Sequence, residues 1–192
     1  MSVRTEEMRR AIARAALSTF CERGYGVATL EEIGVQVGLT RGGVLHHFKS
    51  KPDLLEAVAA PFRRALADLL LNAQVDDPPT ESQRRQLLTR FADLMLEHRG
   101  TLQLLASDVS ARAQLGLRDQ SLTQQRELVS LLVGSKATDL AQVRASAALG
   151  AMIQPVAGAW LDLGDVTTRG ELVNAAVAVI HGPRPTAKTA AP

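Results

Sequence analysis

Residues 29–51, TLEEIGVQVGLTRGGVLHHFKSK, limit what this chain can fold into more than any other stretch. Thr29 followed three residues later by Glu32 forms a capping box, in which each side chain satisfies the other's backbone N–H. Ile33 and Val37 continue from Thr29 at four-residue spacing and give the segment one inward face. Gly38 falls where a helix ends on a left-handed residue, a conformation glycine adopts without a Cβ penalty. Thr40 caps a second helix, and Leu39 with Val44 staples that helix across its cap. This second helix has only Val44, Leu45 and Phe48 for a core, while Arg41, His46, His47, Lys49 and Lys51 surround it. The layout is that of a helix-turn-helix whose second helix presents polar and basic side chains to an anion.

The flanking sequence completes the motif. Met8, Ile12, Ala16 and Phe20 recur every four residues and predict a first helix over residues 4–22, ended by Arg23-Gly24. Charge follows the same division. Residues 1–51 carry eight Lys/Arg against five Asp/Glu, a net of +3, whereas the remainder carries 14 against 15. The basic excess therefore sits on the segment that looks like a DNA reader.

Residues 4–58 resemble the amino-terminal DNA-binding domain of the TetR family of transcriptional regulators. The resemblance runs through Phe20, Gly24, Tyr25, Thr29, Ile33, Gly38, Thr40, Gly42, His47, Phe48, Lys51, Leu54 and Leu55 in order, without gaps. It implies an all-α chain in which a three-helix DNA-binding domain joins a helical ligand-binding and dimerisation domain. It also implies DNA contacts from Thr29, Thr40, Arg41, Gly42, Gly43, Leu45, His46, His47, Lys49 and Lys51. Two positions depart from the pattern: Gly43, where relatives usually carry Thr or Ala, and Leu45, where they usually carry a phosphate-touching Tyr. Two adjacent glycines in a short helix cost roughly 1 kcal/mol each relative to alanine. Gly43 either lets the backbone approach DNA closely or leaves the helix loose until DNA orders it.

The rest of the chain also reads as helices. Hydrophobic residues make up 46% but aromatics only 3%, so the core must be built from Leu, Ala and Val, which suits packed helices. Ser50 caps a fourth helix that carries Pro61, predicting either a kinked helix or two helices meeting there. Asp76 to Thr80 is a loop by composition. Helices are expected near residues 81–98, 101–113, 117–133, 141–163 and 169–181, and residues 183–192 as a disordered tail. The expected domains are residues 1–51 for DNA binding and 52–182 for ligand binding and dimerisation.

The last two helices are rich in small residues. They match the pair that forms the dimer interface in the TetR family, with Ala148, Met152, Ala159, Leu172, Ala176 and Val179 as candidates. A small apolar ligand would be lined by Phe91, Met95, His98, Leu105, Leu128, Met152 and Trp160, although Leu and Met at helical spacing are more often plain core. Pro155 lies within the long helix and gives it a second point at which to bend.

Other functions have little support in the sequence. No Walker loop, H-E-x-x-H, G-x-S-x-G or G-x-G-x-x-G occurs, and adjacent His46 and His47 do not share a helix face as an i, i+4 metal pair would. No enzyme, cofactor or metal site is expected. Cys21 is the sole cysteine, a charged stretch opens the chain, and no apolar run reaches about 18–20 residues, so the expected location is cytoplasmic with no membrane contact. The reading is a homodimer bound to a palindromic double-stranded DNA operator and released by a ligand. The alternative is a DNA-binding dimer that senses no small molecule and is controlled by a protein partner or by abundance.

Overall fold

The computed structural model describes residues 3–158 and 166–182, with side chains for all of these but 117–121, 166 and 167. The described residues form helices α1 (Val3–Arg23), α2 (Leu30–Gln36), α3 (Arg41–His47), α4 (Lys51–Leu71), α5 (Glu81–Glu97), α6 (Arg99–Ser107), α7 (Val109–Gln114), α8 (Leu117–Val133), α9 (Asp139–Ala157) and α10 (Val166–His181). No strand occurs among them.

Capping chemistry sets most of the helix starts. Thr29, Thr40, Ser50, Thr80, Asp108 and Thr138 each accept a backbone N–H three residues on. Such a cap contributes about 1 kcal/mol relative to alanine. Pro61 and Pro155 interrupt nothing: α4 and α9 run through them, so the two-helix alternative at Pro61 does not hold. The single helix expected over residues 101–113 is two. Asp108 has extended backbone and ends α6 while capping α7. The sequence expectation missed this break because Asp in a helical pattern can also sit on an exposed face.

Two clusters of buried side chains hold the molecule together. One is built on Ile12, Ala16 and Phe20 of α1, Ile33 of α2, Val44 and Phe48 around α3, and Leu54, Leu55 and Val58 of α4. Leu104, Leu105, Ala111 and Leu115 from α6 and α7 belong to the same cluster. The amino-terminal core thus continues past residue 51 and takes side chains from two helices far along the chain. The other cluster joins the end of α4 to α5, α8, α9 and α10, with Met95, Leu132, Ala148, Met152 and Ala176 at its centre. Half-buried Phe62 of α4 packs against both clusters. Gly100 permits the close approach of α6 to α1: a Cβ there would stand 3.2 Å from Leu17 Cδ2.

Candidate nucleic-acid interface and ligand cavity

The turn between α2 and α3 is fixed by backbone bonds. Gly38 N donates to Val35 O at 3.2 Å and Leu39 N to Gly34 O at 2.9 Å, with Gly38 at φ +69°. This is the paired bonding of a Schellman motif, in which a left-handed residue satisfies the last carbonyls of a helix. Gly34 is required for a separate reason. A Cβ there would lie 2.6 Å from Leu39 O and 3.2 Å from Val44 Cγ2, so only glycine lets α3 cross this close. Nothing in the periodicity of a seven-residue helix singles out Gly34, and the sequence reading passed over it.

The second helix stands on buried Val44 and Phe48. Burying such side chains contributes about 1.5–3 kcal/mol each. Arg9 of α1 secures the end of α3: its guanidinium donates to His47 O and lies 4.2 Å from the centre of the Phe48 ring. Gln36 Nε2 donates to buried Thr19 Oγ1 at 2.9 Å and ties α2 to α1.

The expected DNA-contact residues divide by exposure. Thr29, Thr40, Arg41, Gly42, His46 and Lys49 are exposed, and His47 is half-buried with its ring edge-on to His46 at 5.4 Å. Leu45 is half-buried and packs on the amino-terminal core, so apolar packing occupies the position where the family pattern has a phenol. Lys51 is engaged by the loop before α2. Its Nζ donates to Gly26 O at 3.2 Å and lies 4.6 Å from the centre of the Tyr25 ring. Burial lowers its pKa from the ordinary lysine value, against the upward pull of Asp108 and Glu32.

Gly43 also has a structural neighbour that neither account drawn from the sequence considered. A Cβ on Gly43 would meet Leu39 Cβ at 3.2 Å and Leu39 Cδ2 at 3.3 Å. The missing side chain makes room for the staple residue inside the turn. It is Gly42 that faces open space, with only Thr40 Oγ1 at 3.8 Å from its virtual Cβ.

The carboxy-terminal half holds a cavity of about 340 Å3 between α4, α5, α6, α7, α8 and α9. Phe91, Met95, Leu105 and Leu128 line it as expected. Met152 does not; it is fully buried in the core between the helices. His98 ends α5 and sets its ring edge-on to Phe62 at 6.1 Å, facing a groove beside α1 instead. Trp160 lies outside the described residues. The sequence reading missed Arg63, Arg112, Gln124, Gln125, Leu149 and Ile153, which also line it.

The residues expected at a dimer interface lie mostly inside the single chain. Ala148, Met152, Leu172 and Ala176 are buried within the single chain, where α9 and α10 pack on each other and on α5. Val179 is half-buried against the same core, and Ala159 lies outside the described residues. The exposed face of α9 is Leu140, Val143, Ala147, Ala151, Gln154 and Gly158, at spacings of three and four; Glu171, Asn174, Ala175, Ala178 and His181 are exposed on α10. Four of the six candidates chosen from sequence, Ala148, Met152, Leu172 and Ala176, lie on the inward faces of α9 and α10. Composition does not distinguish two small-residue faces of one helix.

Together these features define a class: a helix-turn-helix reader mounted on an all-helical body. Residues 12–58 match the family model for bacterial regulatory proteins of the tetR family. The chain is 37% identical to the HTH-type transcriptional repressor BepR of Brucella suis over 73 residues, 38% of this chain and 35% of BepR. It is 46% identical to the HTH-type transcriptional regulator SrpR of Pseudomonas putida over 55 residues, 29% of this chain and 26% of SrpR. The matched stretches thus span about a third or less of those two proteins. A TetR-like transcriptional regulator from Rhodococcus superposes with a TM-score of 0.65 at 22% identity, over 91% of this chain and 96% of that one. Residues 12–58 thus carry the tetR-family domain, and the chain shares its overall fold with a solved TetR-like regulator. Among the described residues, no helix is long and apolar enough to cross a membrane.

Proposed function

We propose that this chain is a homodimeric transcriptional repressor that reads a palindromic operator and is released from it by a small ligand. One observation carries the reading: Arg41, His46 and Lys49 are exposed on or beside a helix anchored by buried Val44 and Phe48. A short helix seated this way can enter a major groove, with Arg41 in its first turn able to bind guanine O6 and N7. Dimerisation through the exposed face of α9 and α10 would give the two reading helices a two-fold relation matching an operator palindrome. The repressor sense is supported by the name of BepR.

The cavity supports release by a ligand. It lies among α4, α5, α6, α7, α8 and α9, and α6 also contributes Leu104 and Leu105 to the amino-terminal core. A ligand that changes the α6 position would alter the spacing of the reading helices, and DNA would weaken ligand binding by the same factor. Fluorescence anisotropy with duplex fragments from upstream of its own gene tests the reading. Saturable, salt-sensitive binding by one dimer is expected. Binding only as a monomer, or equal binding to every duplex, contradicts it. A dimer whose binding no small molecule displaces supports the alternative of control by a protein partner or by abundance.

A further inference from the structure

We propose that Asp108 couples the α4–α9 cavity to the DNA-reading half, and that a ligand filling the cavity breaks its bond to the Tyr25 amide. This rests on the ligand-controlled reading above. Asp108 is the single residue between α6 and α7, and its backbone is extended where the chain on either side is helical. The cavity wall lies on both sides of this joint. Leu105 and Ala106 line it from the end of α6, and Arg112 lines it from α7. Arg112 Nη1 donates to Leu105 O at 2.8 Å and to Ala106 O at 2.7 Å, which braces the wall across the joint. A ligand that pushes on this wall bends the chain at Asp108.

The other side of the joint faces the reader. Asp108 Oδ2 accepts from Tyr25 N at 2.6 Å. The next residue, Gly26, offers its carbonyl to Lys51 Nζ at 3.2 Å, and Lys51 is the first residue of α4. The Tyr25 ring stands edge-on to buried Phe20 at 5.3 Å, so this loop is rooted in the amino-terminal core. Tyr25-Gly26 is therefore gripped by the body on one side and by the start of α4 on the other. Elsewhere α6 meets the reader by apolar packing, as at Leu104 and where Leu17 lies beside Gly100. Apolar packing has no preferred direction, whereas a hydrogen bond to a carboxylate weakens steeply as its angle changes. The Asp108 bond thus has the two discrete arrangements that coupling between sites needs.

Fluorescence anisotropy with the duplex upstream of its own gene tests this on the full chain, with Gly150→Phe standing in for a ligand. Gly150 lines the cavity, and a Cβ there has no heavy atom within 4 Å, so the ring has space to enter. In the wild-type background Gly150→Phe should weaken duplex binding about fivefold or more. Asp108→Asn keeps an oxygen to cap α7 but has no second oxygen for Tyr25, and in that background the same filling should change binding by less than about twofold. Hydrogen exchange at the Tyr25 amide should quicken in Gly150→Phe more than exchange along α1 does. Thermal melting shows whether each variant is folded. Ser146→Phe is the second filling variant, and Asp108→Ser keeps the cap on a shorter side chain. An equal loss of binding in both backgrounds, or an unchanged Tyr25 exchange rate, overturns Asp108 as the coupling residue and leaves ligand control standing. If filling the cavity leaves duplex binding by the wild type unchanged, ligand control and this proposal both fall.

Discussion

The backbone N–H of Tyr25 donates to Asp108 Oδ2 at 2.6 Å, joining the loop before α2 to the elbow between α6 and α7. The other carboxylate oxygen accepts from Ala111 N at 2.9 Å and Ser110 Oγ at 2.8 Å, so one side chain both caps α7 and holds the DNA-reading half in place. Arg112, one turn further on, lines the cavity. Reader and cavity are thus fastened to the same short stretch of chain.

Asp108 should stabilise the fold only while ionised. Burial raises its pKa, but the N–H groups of Ala111 and Tyr25 and the bonds from Ser110 outweigh it, and the net shift is downward. A folded pKa below the unfolded value of about 3.9 means the stabilisation is complete above the ordinary carboxylate range. It is lost as pH falls through the folded value. Asp108→Asn should therefore cost about 1–2 kcal/mol in urea unfolding at pH 7. The difference from wild type should shrink near pH 3. An equal difference at both pH values would assign the effect to shape rather than charge.

Three glycines of the reading motif, Gly34, Gly42 and Gly43, should respond differently to alanine. Gly34→Ala places a Cβ 2.6 Å from a backbone oxygen that the turn cannot move, and should cost about 1–3 kcal/mol. Gly42→Ala meets open space and should add about 0.5–1 kcal/mol of stability. Gly43→Ala should gain less than Gly42→Ala, because Leu39 must shift by a few tenths of an ångström. Thermal melts of the three variants give the order; Gly34→Ala melting at or above wild type would contradict the close crossing of α2 and α3.

Charge on α9 should separate dimerisation from folding. Ala147 and Ala151 are exposed in the single chain, whereas Ala148 is fully buried. Ala147→Arg and Ala151→Arg should give folded monomers by light scattering. Ala148→Arg should fail to fold, since its charge would enter the core without a partner. Folded dimers from both exposed-site variants would place the interface elsewhere.

Cys21 should be a sluggish thiol. Its Sγ lies 3.5 Å from Gly100 O, and burial followed by the nearby Glu22 charge pushes its pKa above the usual thiol value. The thiolate is the reactive form. Alkylation of the folded protein at pH 7.5 should be slower than that of a free small thiol and should still be rising at pH 9. A fast, pH-independent reaction would point to an activated cysteine.

The helix-turn-helix was legible in the sequence because its determinants are local. Thr29 with Glu32, Gly38 and Thr40 act on backbone groups within a few positions of themselves, and each forms the bond its residue type implies. What was not legible depends on contacts distant in the chain. Asp108 reads as one more polar residue until Tyr25, 83 positions away, is packed against it. Gly34 and Gly43 matter because Leu39 folds back over them. The cavity arginines, Arg63 on α4 and Arg112 on α7, read as ordinary charged helix residues until six helices pack around one space.

The central claim is that α3 reads sequence as one half of a two-fold dimer. Selection of bound duplexes from a random pool, run in parallel with wild type and Arg41→Ala, tests it most directly. The wild type should enrich a palindrome with half-sites separated by about one helical turn or a multiple of it. Arg41→Ala should bind about 1–3 kcal/mol more weakly and lose discrimination at one position in each half-site. Enrichment of no sequence, or of an asymmetric site that Arg41→Ala reads unchanged, would contradict the assignment of α3 as the reading helix.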